Sequence, residues 1–157
     1  MIVNDLGPKM FLKMTRVIFF GLWGGWITFL VVVLFINDSK FLFKIEISEP
    51  LMISTFILSC IFLPLGYLIA KKTFSKIDQN DTLNNKLRKY QSGQMIRMAT
   101  CEGVGLLAIV SLLLTSNLFF LIFLLISSFV IIQYYPTPDK IGNEINLTQN
   151  EIDQFNN

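Results

Sequence analysis

The chain has 157 residues, of which 53% are hydrophobic and only 15% charged, against about 25% charged in ordinary soluble domains. Its 15 Phe would overfill a single aqueous core, whereas helices facing lipid can show such side chains outward at no cost. A net charge of +2, with aromatics confined to apolar runs, argues against a nucleic-acid partner, and the absence of His removes the commonest zinc ligand and the commonest general base.

Val17 to Ile36 is apolar or small throughout, about 30 Å of helix, and reads as a first membrane span. Lys9, Lys13 and Arg16 precede it like a signal-peptide n-region, but the apolar run is too long for an h-region and no small-x-small cleavage site follows. Phe41 to Ile47 then alternates with period two. A lone strand here finds no partner within the chain and is expected to lie on the membrane surface or to pair with another protein's sheet edge.

A second span runs from about Leu51 to Ala70, bounded by Pro50 and by Lys71-Lys72, with a kink expected at Pro64. The following loop, Lys71 to Gln94, is basic and offers Asp81 as a helix N-cap, so the third helix is expected to begin in it and rise into a span over Met95 to Leu114. That loop reads as an orientation signal, with a partner-binding stalk or anionic-lipid contact as the alternative. A fourth span covers Leu118 to Tyr134, and only Thr115-Ser116-Asn117 separates it from the third, so the two should form a tight hairpin.

After residue 135 the tail carries Thr137-Pro138-Asp139, an N-cap with Pro at the first helical position, and Thr148-Gln149-Asn150-Glu151, a capping box. Two short helices follow, with Ile141, Ile145, Ile152 and Phe155 giving them apolar faces able to dock on the basic loop or on a partner. The fold class is therefore all-α: a polytopic four-helix transmembrane bundle made of two hairpins over residues 1–135, with a short helical tail over 136–157. Eleven of the 13 Lys and Arg lie on the side of the termini and the central loop, against Lys40 and Lys44 on the other. The positive-inside rule then places both ends in the cytoplasm, in the inner membrane of a bacterial cell.

Small residues recur at spacing four in Gly21 and Gly25 and in Ala99 and Gly103, which lets a second helix approach closely. Internal packing is the favoured expectation and a homodimer face the alternative. Cys60 and Cys101 read as small apolar packing residues without a disulfide. Ser59, Cys60 and Cys101 have no identifiable base beside them, so no enzyme is expected. Neither a cofactor nor a metal is expected.

Glu102 is the residue that needs explaining, because an acid within a span is disfavoured by roughly 2.5–3.5 kcal/mol even on the gentler insertion scale. It should lie about 10 Å inside the cytoplasmic boundary, counting about 1.5 Å per residue from Met95. The same count brings Trp23, Trp26, Tyr67, Ser127 and Ser128 to its level, a candidate polar site in which indole, phenol and hydroxyl groups could donate to the carboxylate. Arg97 is turned about 140° from Glu102 on the helix and is expected to snorkel to the lipid phosphates.

From Glu102-Gly103-Val104-Gly105 to Leu112 the third span resembles the second helix of the rotor-ring c subunit of rotary ATPases, which implies a proton-carrying role for Glu102. Over the whole chain the pattern resembles the small four-helix proteins of bacterial inner membranes whose roles are uncharacterised. Small multidrug transporters also have four spans, but their essential acid lies in the first helix, where this chain has none. The leading expectation is a non-enzymatic scaffold or accessory subunit whose partners are the lipid bilayer and another membrane protein or a second copy. A translocation element using Glu102 is the alternative.

Overall fold

A computed structural model describes residues 7–37, 41–45 and 49–155. Among these, six α-helices follow in chain order: α1 (Pro8–Ile36), α2 (Pro50–Phe74), α3 (Leu83–Thr115), α4 (Leu121–Ile132, preceded by a 3-10 turn at Leu118–Phe120), α5 (Pro138–Ile145) and α6 (Gln149–Asp153). Helices α1, α2 and α3 are long and apolar enough to cross a membrane. The apolar segment Leu118–Ile132 is shorter than they are.

Proline at the first helical turn opens α1, α2 and α5, where its missing N–H removes no intrahelical bond. Helix α3 begins at Leu83 with Thr82, and not Asp81, at its cap. Asp81 instead receives the Lys89 ammonium at 2.6 Å. Helix α2 runs on through Pro64 as a single helix.

Helix α3 is the axle of the bundle. Of its most apolar window 44% is buried, against 17% for α1 and 22% for α2, so α3 is wrapped while the others keep one face outward. Three contacts set its antiparallel register with α2: Thr55 on Ser111, Gly66 on Thr100, and Phe74 on Gly93. Helix α1 runs parallel to α3, with Phe11 against Tyr90 and Trp26 against Gly105. Helix α4 runs back along α3, since Ser127 Oγ donates to Cys101 O at 2.6 Å and Gln94 Nε2 to Tyr134 O at 2.7 Å.

Two apolar cores result. One fills the bundle around Trp26, Met98, Cys101, Ile109, Phe120 and Ile131. The other closes the end nearest both termini, where Ile141, Ile145 and Phe155 of the tail pack with Phe11, Phe74, Leu87 and Tyr90. Both tail helices form as their capping residues imply. The Thr137 side chain accepts from Lys140 N, and Thr148 and Glu151 complete the capping box of α6. At about 1.5–3 kcal/mol for each large apolar side chain removed from water, the tail docks on its own chain.

The segment around Phe41 does find a partner within the chain. Leu42 N donates to Ser116 O at 3.0 Å and Leu118 N to Leu42 O at 2.8 Å, so the α1–α2 connection pairs with the α3–α4 turn. Asn117 fastens it, since its amide accepts from Lys44 N at 3.2 Å and donates to Lys44 O at 2.8 Å. Part of the period-two run, residues 46 and 47, lies outside the described residues.

Candidate functional site

The small-residue pairs do not pack this bundle internally. A Cβ on Gly21, Gly25 or Gly103 would meet nothing within 4 Å, and all three are exposed, as is Ala99. Close helix approach occurs at other glycines. A Cβ on Gly66 would fall 1.9 Å from the Thr100 hydroxyl oxygen, and one on Gly105 would fall 2.6 Å from the Trp26 ring. Both contacts therefore require glycine. Spacing of four marks a smooth strip on a helix but carries no information on which way that strip faces.

The register sets Glu102 level with Trp23 on α1, Pro64 on α2 and Ile126-Ser127 on α4. The donors point elsewhere. The Ser127 hydroxyl is taken by the Cys101 carbonyl, the Trp26 ring packs against Gly105 with its buried indole N–H unpartnered among the described residues, and Tyr67 is exposed and lines a cavity beside Arg97. Trp23 and Ser128 are half-buried and make no hydrogen bond to Glu102, which itself is half-buried without a hydrogen-bonding partner among the described residues. A ruler along the helix axis fixes height; the direction in which each side chain points depends on packing.

The buried polar site of this protein is centred instead on Arg97. Its side chain is 2% exposed, folded inward against the tail instead of extended along the outside of the bundle as a snorkelling arginine would be. Its guanidinium forms a two-pronged pair with Glu144 of α5, Nη1 to Oε1 and Nη2 to Oε2 both at 2.8 Å. Nη2 also donates to the Tyr90 hydroxyl at 3.1 Å, and Nε donates to Gln94 Oε1 at 2.6 Å. Aromatic faces complete the enclosure, with Tyr134, Phe74 and Tyr90 ring centres 4.6, 5.2 and 5.9 Å from the guanidinium carbon.

Each element supplies this site for a local reason. Tyr90, Gln94 and Arg97 recur at three- and four-residue spacing and share one face of α3. Phe74 comes from the end of α2 and stacks on Tyr90 at 4.9 Å. Glu144 arrives because α5, capped by Thr137, turns its Ile141 and Ile145 face into the apolar core of this end. A buried ion pair is worth little net unless its remaining protons are satisfied, and here most of the guanidinium donors are. The arrangement is a latch that holds the C-terminal tail on the bundle.

A second ion pair reinforces it. Lys86, only 3% exposed, donates to Glu151 of α6 at 2.8 Å. Burial opposes ionisation of Glu151, but the Lys86 and Thr148 hydrogen bonds outweigh it and hold the carboxyl below its ordinary range.

Sequence reasoning missed this site: the three- and four-residue spacing of Tyr90, Gln94 and Arg97 is a signal that could have marked its α3 half, but no spacing reveals Glu144, which is 47 residues away. Both cysteines are free, Cys101 buried and Cys60 exposed. No cluster of metal-ligating side chains occurs among the described residues. Comparison of the chain with protein-family models, curated proteins and solved structures finds no match.

Proposed function

We propose that this chain is a four-span integral membrane protein of the bacterial inner membrane, with both termini cytoplasmic, acting as a non-enzymatic scaffold or accessory subunit of a membrane complex. Three long apolar helices support the membrane placement. The apolar segment Leu118–Ile132, returning along α3, is the fourth span of this proposal. The Lys and Arg distribution supports the orientation.

One observation carries the scaffold role. Most buried polar side chains are engaged in holding helices and tail together, while the smooth strips at Gly21, Gly25, Ala99 and Gly103 face outward. In lipid, outward small residues favour contact with another transmembrane helix, of a partner protein or of a second copy.

Photo-crosslinkers at positions 21 and 103 in native membranes test this. The expected result is one crosslinked species of constant mass from each, absent with the crosslinker at the lipid-facing Phe129. A clean monomer throughout would overturn it.

The alternative, translocation of an ion or small solute, draws support from Glu102 standing in an apolar helix without a hydrogen-bonding partner among the described residues. Glu102→Gln distinguishes the two. A scaffold keeps its assembly and its host complex's activity, whereas a translocation element assembles but loses transport.

A further inference from the structure

A cavity of about 320 Å³ opens beside the latch, between the C-terminal end of α2, the middle of α3 and the end of α5. Its polar lining is Tyr67, Lys71, Ser75, Arg97, Glu144 and Asn146. Two of these are cationic and one is anionic, so the walls carry one net positive charge. Glu144 is already engaged by Arg97 through both carboxylate oxygens, whereas Lys71 has no carboxylate partner among the described residues.

Arg97 has five N–H groups. Four are engaged: one on Gln94, one on Tyr90 and two on Glu144. The fifth, on Nη1, makes no hydrogen bond among the described residues, and the Arg97 side chain lines the cavity. The Tyr67 hydroxyl and the Asn146 amide make no side-chain hydrogen bond among the described residues and add donors at its rim.

The α2–α3 register sets Arg97 beside Ile69, two residues before Lys71. On the parallel helix, Arg97 stands near Ile18, two residues inside Arg16. At about 1.5 Å per residue the cavity thus lies within about 3 Å of the charged flanks of both helices, the level at which headgroup phosphates sit.

We propose that this cavity binds a phosphate group, held between the Lys71 ammonium and the free Arg97 N–H, with Tyr67 and Asn146 completing its hydrogen bonds. A phosphodiester carries one negative charge and neutralises the one net positive charge of the walls, so it can bind beside Glu144 without displacing it. Arginine suits this role because its planar fork can serve two oxyanions at once. Bound phosphate would therefore stabilise the latch and couple tail docking to the surrounding anion. A headgroup source depends on the membrane placement proposed above but not on the scaffold role, whereas a soluble phosphate source depends on neither.

Thermal unfolding of the full chain in nanodiscs tests the site, with flotation of the same preparation testing membrane placement separately. Three media are compared: phosphatidylcholine alone, phosphatidylcholine with phosphatidylglycerol, and phosphatidylcholine with millimolar inorganic phosphate. The expected result is an upward shift in midpoint with phosphatidylglycerol, lost in Lys71→Gln but kept in Lys76→Gln, a neighbouring exposed lysine that does not line the cavity. A Lys71-dependent shift with inorganic phosphate alone supports the site with a soluble ligand. A shift lost equally in both variants would overturn the proposal by showing a general surface-charge effect, and no shift in either anionic medium would overturn it as well. Should Lys71→Gln fold poorly, Tyr67→Phe and Asn146→Ala, which leave the charge unchanged, should each weaken the shift.

Discussion

Replacing Glu144 with Gln keeps the size of the side chain and removes its charge, leaving Arg97 buried without a counterion. Two unit charges about 4 Å apart attract by about 4 kcal/mol at an effective dielectric near 20. Two features reduce the net loss: the Glu144 side chain is 24% exposed, and Arg97 keeps Gln94, Tyr90 and three aromatic faces. A weakening of tail docking by about 2–3 kcal/mol is expected, and since about 1.4 kcal/mol is tenfold in an equilibrium constant, the tail should open about 30–150 times more often. Hydrogen exchange of the Ile141–Ile145 amides measures this, with Val104–Leu112 of α3 as the internal reference. Tail exchange within about threefold of the parent would refute the latch. An equal loss of protection in α3 would refute it too, because the pair would then be holding the bundle as a whole. Arg97→Met combined with Glu144→Leu should restore most tail protection, since a buried pair is commonly replaceable by apolar groups of similar volume while half of one is not.

Other outcomes follow from the same geometry. Gly105→Ala forces a methyl into the Trp26 ring and should lower stability by roughly 1–3 kcal/mol in detergent unfolding. Gly103→Ala, with open space around it, should be neutral or slightly stabilising, and equal effects at the two positions would contradict the packing described. Asn117→Ala removes both bonds to the Lys44 backbone, so limited proteolysis between residues 37 and 49 should accelerate by about 5–150-fold, the effect of about 1–3 kcal/mol. The depressed Glu151 carboxyl contributes stability present above its ordinary value of 4.5 and lost as pH falls through the lower folded value. A spin-label distance between α6 and α3 should therefore lengthen on acidification below 4.5, and Lys86→Met should show the longer distance already at neutral pH.

Much of this molecule was determined locally. Apolar runs of membrane length, proline at three helix starts, the Thr137 cap and the Thr148–Glu151 capping box are decided by residues within a few positions of one another, so α1, α2, α5 and α6 could be read directly. Height along the bundle axis was also legible, because a helix advances by a constant rise and the level of Glu102 against Trp23 and Ser127 follows from counting. Rotation about that axis was not. Whether Gly21 faces a neighbour or the outside, whether Tyr67 turns toward Glu102 or Arg97, and whether Arg97 reaches out or folds inward depend on which helix packs against which. Those contacts are made between residues distant in sequence: Arg97 with Glu144, Lys86 with Glu151, and Asn117 with Lys44. The sequence alone therefore determined a helical chain rich in membrane-length apolar runs, read as four spans, whereas the structure shows three helices long and apolar enough to cross a membrane, and only the tertiary structure decided that its buried charge holds down the tail. Hydrophobic length is a property of each segment, whereas a buried charge finds its partner only when segments meet.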